Sequence, residues 1–148
     1  VNQYKKVLFV GETGTCRSPM AAAIMKQMPK AAGVEIEACG MVSLFPEPIN
    51  GKVEAVLAGN GIRVEGFESR QLESSDFEEE TMIVAVDENV FKRILEKFEI
   101  RENVYLLEGL AGSIEPLINP YGKTLQDYGK CYEQMEPMIK KLVEQLEG

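Results

Sequence analysis

A short run of strand-forming residues at 7–10 passes directly into the glycine-containing loop GETGTCRS, which ends in Ser18-Pro19. Serine followed by proline reads as an N-cap and a first helical position, so the chain opens as strand, loop, helix. A strand handing over to a helix through so tight a loop sends the helix back across the strand. Repeated along a chain, that unit makes a parallel sheet with helices on both faces. The unit does repeat. Residues 34–38 read as a second strand, 82–86 as a third that is wholly apolar, and 104–107 as a fourth. Between them, a helix is expected over 49–58, ending at Gly59-Asn60-Gly61 after a proline-containing loop at 45–48. Another is expected over 88–98, capped by Asp87, with Val90, Ile94 and Phe98 on one face. Met20, Ile24 and Met28 recur at i, i+4, i+8 and give the first helix an apolar face. Tyr128, Cys131, Tyr132, Met135, Ile139, Leu142 and Leu146 mark a last helix, in which Pro137 is expected to produce a kink or a break. The order is βαβαβαβ plus a final helix: an α/β fold, three layers α/β/α around a four-stranded parallel sheet.

At 148 residues and 45% hydrophobic, the chain suits a single domain spanning 1–148. It contains no histidine, which removes every Ser-His-Asp or Cys-His mechanism and leaves Cys, carboxylates or Arg for any catalysis. Its three cysteines, Cys16, Cys39 and Cys131, are widely spaced and form no CxxC pair, so neither a zinc site nor a disulfide framework is expected; no metal or organic cofactor is indicated. Cys39 and Cys131 read as inert core residues. The net charge of −8, whose acidic excess lies in the second half of the chain, disfavours nucleic acid and anionic membranes as partners. No apolar run is long enough to span a bilayer or form a signal-peptide core, so a cytoplasmic location is the expectation.

In a parallel sheet, ligands bind beyond the carboxyl ends of the strands, which places the site at the loop from Gly11 to Ser18. A glycine-containing turn between strand and helix aims consecutive N–H groups at an anion, aided by the positive helix end and Arg17. The candidate anion-binding residues are Glu12, Thr13, Gly14, Thr15, Cys16, Arg17 and Ser18. A nucleotide-binding P-loop is similar in outline, but it needs Gly-Lys before Ser/Thr where this chain has Cys16 and Arg17.

The stretch VLFVGETGTCRSPMA resembles the signature of the low-molecular-weight protein tyrosine phosphatases: Cys, five residues, Arg, Ser or Thr, then Pro. Further landmarks follow in family order: Ala38-Cys39-Gly40, Gly61-Ile62, the stretch GFESRQL, and Asn119-Pro120-Tyr121-Gly122 where the family has Asp-Pro-aromatic before its last helix. The resemblance implies the family's four-stranded parallel sheet, a fold shared with thiol-dependent arsenate reductases. It also implies phosphotyrosine chemistry, in which a loop cysteine attacks phosphorus, backbone N–H groups and arginine hold the phosphoryl oxygens, and an aspartic acid protonates the leaving group.

This chain departs from that chemistry at the positions that perform it. The nucleophile position is Gly11, and the general-acid position is Asn119, whose amide donates a hydrogen bond but has no proton to release. Glu12 brings a negative charge to the loop, and Gly14 stands where the family usually has asparagine. Arg17 remains as an anion ligand, unless Glu12 neutralises it, and Ser18 is left to cap the helix. Cys16 matches the second cysteine of many family members; near a helix N-terminus and Arg17, it would carry a lowered pKa as a reactive thiol or substitute nucleophile. The resemblance places Tyr121 on one wall of the pocket and Leu44 or Phe45 on the other. The expected function is a pseudophosphatase that binds phosphate, sulfate, or a phosphorylated protein or small molecule. The alternatives are a phosphomonoesterase using Cys16 or water, arsenate reduction, and an interaction domain with a vestigial pocket.

Overall fold

The computed structural model describes residues 4–147. Four strands, β1 (Lys6–Gly11), β2 (Glu35–Gly40), β3 (Thr81–Ala85) and β4 (Val104–Leu106), form one sheet in the order β2-β1-β3-β4, all parallel. Five helices connect and cover them: α1 (Arg17–Lys26), α2 (Gly51–Gly59), α3 (Glu88–Phe98), α4 (Leu107–Ala111) and α5 (Leu125–Glu147).

The period-two geometry of the strands splits the core into two. Val7 and Phe9 of β1, with Met82 and Val84 of β3, face the larger cluster built with α1, α2, α4 and α5. Leu8, Val10, Ile83 and Ala85 face the smaller one under Val90 and Ile94 of α3. The three layers expected from the alternating pattern are present. β1 lies between two neighbouring strands and between both helical layers, so the loop that follows it is anchored from every side.

Local expectations held less uniformly. Asn50 caps α2 by accepting from the N–H groups of Lys52 (2.9 Å) and Val53 (3.2 Å), and Asp87 caps α3 by accepting from Val90 N–H (2.8 Å). Ser18 is not the cap of α1. The helix begins at Arg17, Cys16 is the capping position with no side-chain cap bond, and Ser18 lies inside the first turn. α1 has no distinct apolar face, because every residue from Arg17 to Met25 is buried; it ends at Lys26, so Met28 packs on the core from the following turn. Phe98 is only half-buried, and Leu107 opens the short helix α4 instead of ending β4. Pro137 does not break α5. Both Pro137 and Glu133, four residues before it, are exposed, so water can satisfy the carbonyl that proline leaves unpaired. No helix among the described residues is long and apolar enough to cross a membrane.

Candidate anion-binding site

The loop between β1 and α1 is held by its carbonyl groups. The carbonyl of Gly11 accepts from Met41 N–H (2.9 Å), that of Glu12 from Val42 N–H (3.0 Å), and that of Thr15 from Asn50 N–H (2.9 Å). The carbonyl of Cys16 starts the helical ladder by accepting from Met20 N–H (3.1 Å). The backbone N–H groups from Glu12 through Ser18, in contrast, have no acceptor among the described residues. With its acceptors tied to neighbouring segments and its donors free, the loop forms a concave array of partial positive charge at the N-terminus of a helix, a standard environment for an anion.

The array lines a pocket of about 210 Å³ together with Val86, Asn119 and Tyr121. Gly11, Glu12, Thr13, Gly14, Cys16, Arg17 and Ser18 all line it. Thr15 does not line it; its hydroxyl lies 2.9 Å from that of Thr13. Tyr121 does so while 69% exposed, whereas Leu44 and Phe45 stand out in solvent at 86% and 65% exposure and take no part in this wall. Asn119, which lines the pocket, has its Oδ1 accept from Tyr121 N–H (3.3 Å), and its amide nitrogen has no acceptor among the described residues.

Arg17 is only 6% exposed. Its partner is Asp87 at the carboxyl end of β3 and not Glu12, which instead pairs with Arg93 of α3. Arg17 also donates to the carbonyls of Leu117 (3.5 Å) and Ile118 (3.4 Å). Three acceptors leave at least two of the five guanidinium N–H groups for a ligand, on a side chain whose position is fixed. Asp87 therefore has two roles, with one oxygen capping α3 and the other holding Arg17. The sequence offered only the first, although its place at a strand's carboxyl end was the signal for the second.

The floor of the pocket holds its most informative atom. Ser18 Oγ is fully buried and is the only such side-chain polar atom among the described residues without a hydrogen-bond partner. A β-carbon on Gly11 would sit 3.2 Å from it. The unsatisfied hydroxyl thus faces the place where a side chain at position 11 would begin.

Cys16 does not meet the expectation of an activated thiol. Burial raises its pKa above the ordinary value and outweighs the opposing influence of the Tyr128 hydroxyl, 3.8 Å from the sulfur, and of the Arg17 charge. Burial also pushes Cys39 up to about 12 and Cys131 up to about 11. Arg93, Val86 and Tyr128 are site residues with no signal in the sequence, since distant elements bring them to the loop.

Residues 6–148 match the family model described as low molecular weight phosphotyrosine protein phosphatase. The chain is 29% identical over 146 residues to a protein-arginine-phosphatase of Geobacillus stearothermophilus, with 96% of each chain covered. It is 32% identical over 143 residues to a low molecular weight phosphotyrosine protein phosphatase of Schizosaccharomyces pombe, covering 88% of this chain and 89% of that one. Among solved structures, the low molecular weight protein tyrosine phosphatase of T. tengcongensis superposes with a TM-score of 0.85 at 26% identity, covering 95% of this chain and 98% of that one.

Proposed function

The chain belongs to the low molecular weight phosphotyrosine protein phosphatase family, and within that family we propose that it is a pseudophosphatase: an oxyanion-binding protein without cysteine-dependent phosphatase chemistry. The observation that carries this reading is the free N–H array from Glu12 to Ser18 above a floor with glycine at position 11. The array with Arg17 supplies what binding needs. Glycine supplies no nucleophile, and Asn119 supplies no proton for a leaving oxygen. An anion entering the pocket meets no thiolate at its floor, so that repulsion does not oppose binding. The ligand is a phosphorylated protein side chain or free phosphate or sulfate; relatives named as protein-arginine and protein-tyrosine phosphatases support the first.

The rival reading, hydrolysis through Cys16, has one observation in its favour: the cysteine lines the pocket. A raised pKa keeps it a thiol near neutral pH, and a thiol is a poor nucleophile.

The test is hydrolysis of an aryl phosphate from about pH 5 to 7 by the native protein and by the double variant Gly11→Cys, Asn119→Asp, alongside phosphate binding by calorimetry. The expected result is a silent native protein that binds phosphate, loss of binding in Arg17→Ala, and turnover by the double variant. Native turnover abolished by Cys16→Ser would overturn the reading in favour of a relocated nucleophile. Phosphate binding undetected in the native protein would reduce the pocket to a vestige of an interaction domain.

A further inference from the structure

The outer edge of β2 runs along a groove, where Ile36 and Ala38 are each 8% exposed. Successive residues of a strand turn their N–H and C=O groups to opposite sides. Glu35 N–H donates to the Lys5 carbonyl (2.9 Å) and Met41 N–H to that of Gly11 (2.9 Å), so the odd-numbered residues of β2 face β1. Gly40 faces outward, where its N–H donates to Arg70 (2.9 Å) and its carbonyl accepts from Leu72 (2.9 Å), closing a parallel bridge with Gln71. Ile36 and Ala38 face the same way as Gly40, and their N–H and C=O groups have no partner among the described residues.

Next to these unpaired groups runs a groove of about 560 Å³ between β2, one stripe of α1 and the segment 62–68. Its floor is apolar: Ala22, Ala23 and Ile62 are each at most 7% exposed. Most charges on its walls are already paired, Arg63 with Glu65 and Arg70 with Glu37. Two are not. Lys26, at the carboxyl end of α1, and Glu68, near the Gly40 end of β2, have no ion-pair partner among the described residues. Because α1 runs back against the parallel strands, these charges stand at opposite ends of the groove.

We propose that this edge receives a β-strand from a partner protein: an extended segment of about five residues whose backbone pairs with Ile36 and Ala38. Its inward side chains are apolar, an acidic residue sits opposite Lys26, and a basic residue sits opposite Glu68. Backbone pairing supplies affinity without regard to sequence, while the apolar floor and the two charges select the segment. Gln71 already uses this edge in the same way at Gly40, so the partner strand lengthens a pairing that the fold has begun.

Amide hydrogen exchange and a synthetic library of blocked heptapeptides test the proposal. In the free protein the amides of Ile36 and Ala38 exchange at least tenfold faster than those of Glu37 and Cys39, which pair with β1. Peptides selected from the library slow the two fast amides at least tenfold and carry acidic and basic residues at opposite ends. N-methylation of the peptide bonds that face β2 weakens binding at least tenfold. Exchanging the two charges in Lys26→Glu, Glu68→Lys weakens binding of the selected peptide, and the charge-exchanged peptide restores it. The proposal is overturned by slow Ile36 and Ala38 amides in the free protein, by a library that yields no peptide protecting them, or by N-methylated peptides that bind equally well.

Discussion

At Gly11 an added β-carbon would lie 3.2 Å from Ser18 Oγ and 3.4 Å from Ser18 Cβ; at Gly14, three residues further on, it would lie 2.7 Å from the backbone nitrogen of Gly40. The first contact is with a side chain that can shift by a few tenths of an ångström. The second is with backbone fixed by the sheet, and Gly14 also holds φ at +78°, where a side chain is strained. Gly40 completes the crowding, because its own β-carbon would lie 2.3 Å from the carbonyl carbon of Thr13. Two glycines of one loop thus differ in kind. Gly14 is demanded by the architecture, since the loop lies directly on the end of β2. Gly11 is not demanded by it; the backbone there would accept a side chain, and what its absence changes is chemistry. The free N–H array and the side chain at position 11 are therefore separable, because different atoms make up the two.

The contrast can be broken most forcefully at Gly40. Gly40→Ala is expected to cost about 3 kcal/mol, since the clash is with backbone and has no rotamer by which to escape; urea denaturation measures it, and a loss below about 1 kcal/mol would mean that the loop is not seated on β2 as described. Ser18→Ala is expected to change stability in the other direction. A buried hydroxyl without a partner carries a desolvation penalty, so its removal stabilises the ligand-free protein by up to about 1 kcal/mol, visible as a raised urea midpoint. Destabilisation would reveal a partner for the hydroxyl. At Glu12 the expected effect is on binding: Glu12→Gln removes a half-exposed carboxylate from the pocket wall and tightens phosphate about two- to threefold at low salt, with the gain fading as salt rises. An unchanged affinity would show that Arg93 already cancels the charge. Gly11→Ala should have the smallest effect, within about 0.5 kcal/mol of neutral, as a tight contact with Ser18 offsets the lower entropy of the unfolded chain. A large loss there would erase the distinction between the two glycines.

Much of the fold was legible before the structure, for a reason visible in particular residues. Val7, Phe9, Met82 and Val84 must all face one layer, and Leu8, Val10, Ile83 and Ala85 the other, so fully apolar strands alternating with helices admit few arrangements. The ends of elements were less legible. Ser18 carried a sound capping signal that Cys16 superseded once the loop was pinned through its carbonyls to Met41, Val42 and Asn50, none of which is local in sequence. Pro137 carried a breaking signal that had little force on an exposed face of α5. At the candidate site, the run from Glu12 to Ser18 was singled out from its place after the first strand, whereas Leu44 and Phe45, singled out by resemblance, stand exposed and do not line this pocket.

The sequence by itself determined the layered fold, the position of the candidate anion loop, and the absence of a cysteine at position 11 and of an acid at 119, because periodicity and side-chain chemistry are properties of the chain alone. Only the tertiary structure decided which charges meet. Arg17 belongs to Asp87 and Glu12 to Arg93, the half-buried Cys16 has its pKa raised rather than lowered, and Ser18 Oγ lies beside Gly11 without a hydrogen-bond partner among the described residues. Pairing and burial depend on distances between segments far apart in sequence, and those distances exist only once the sheet has assembled.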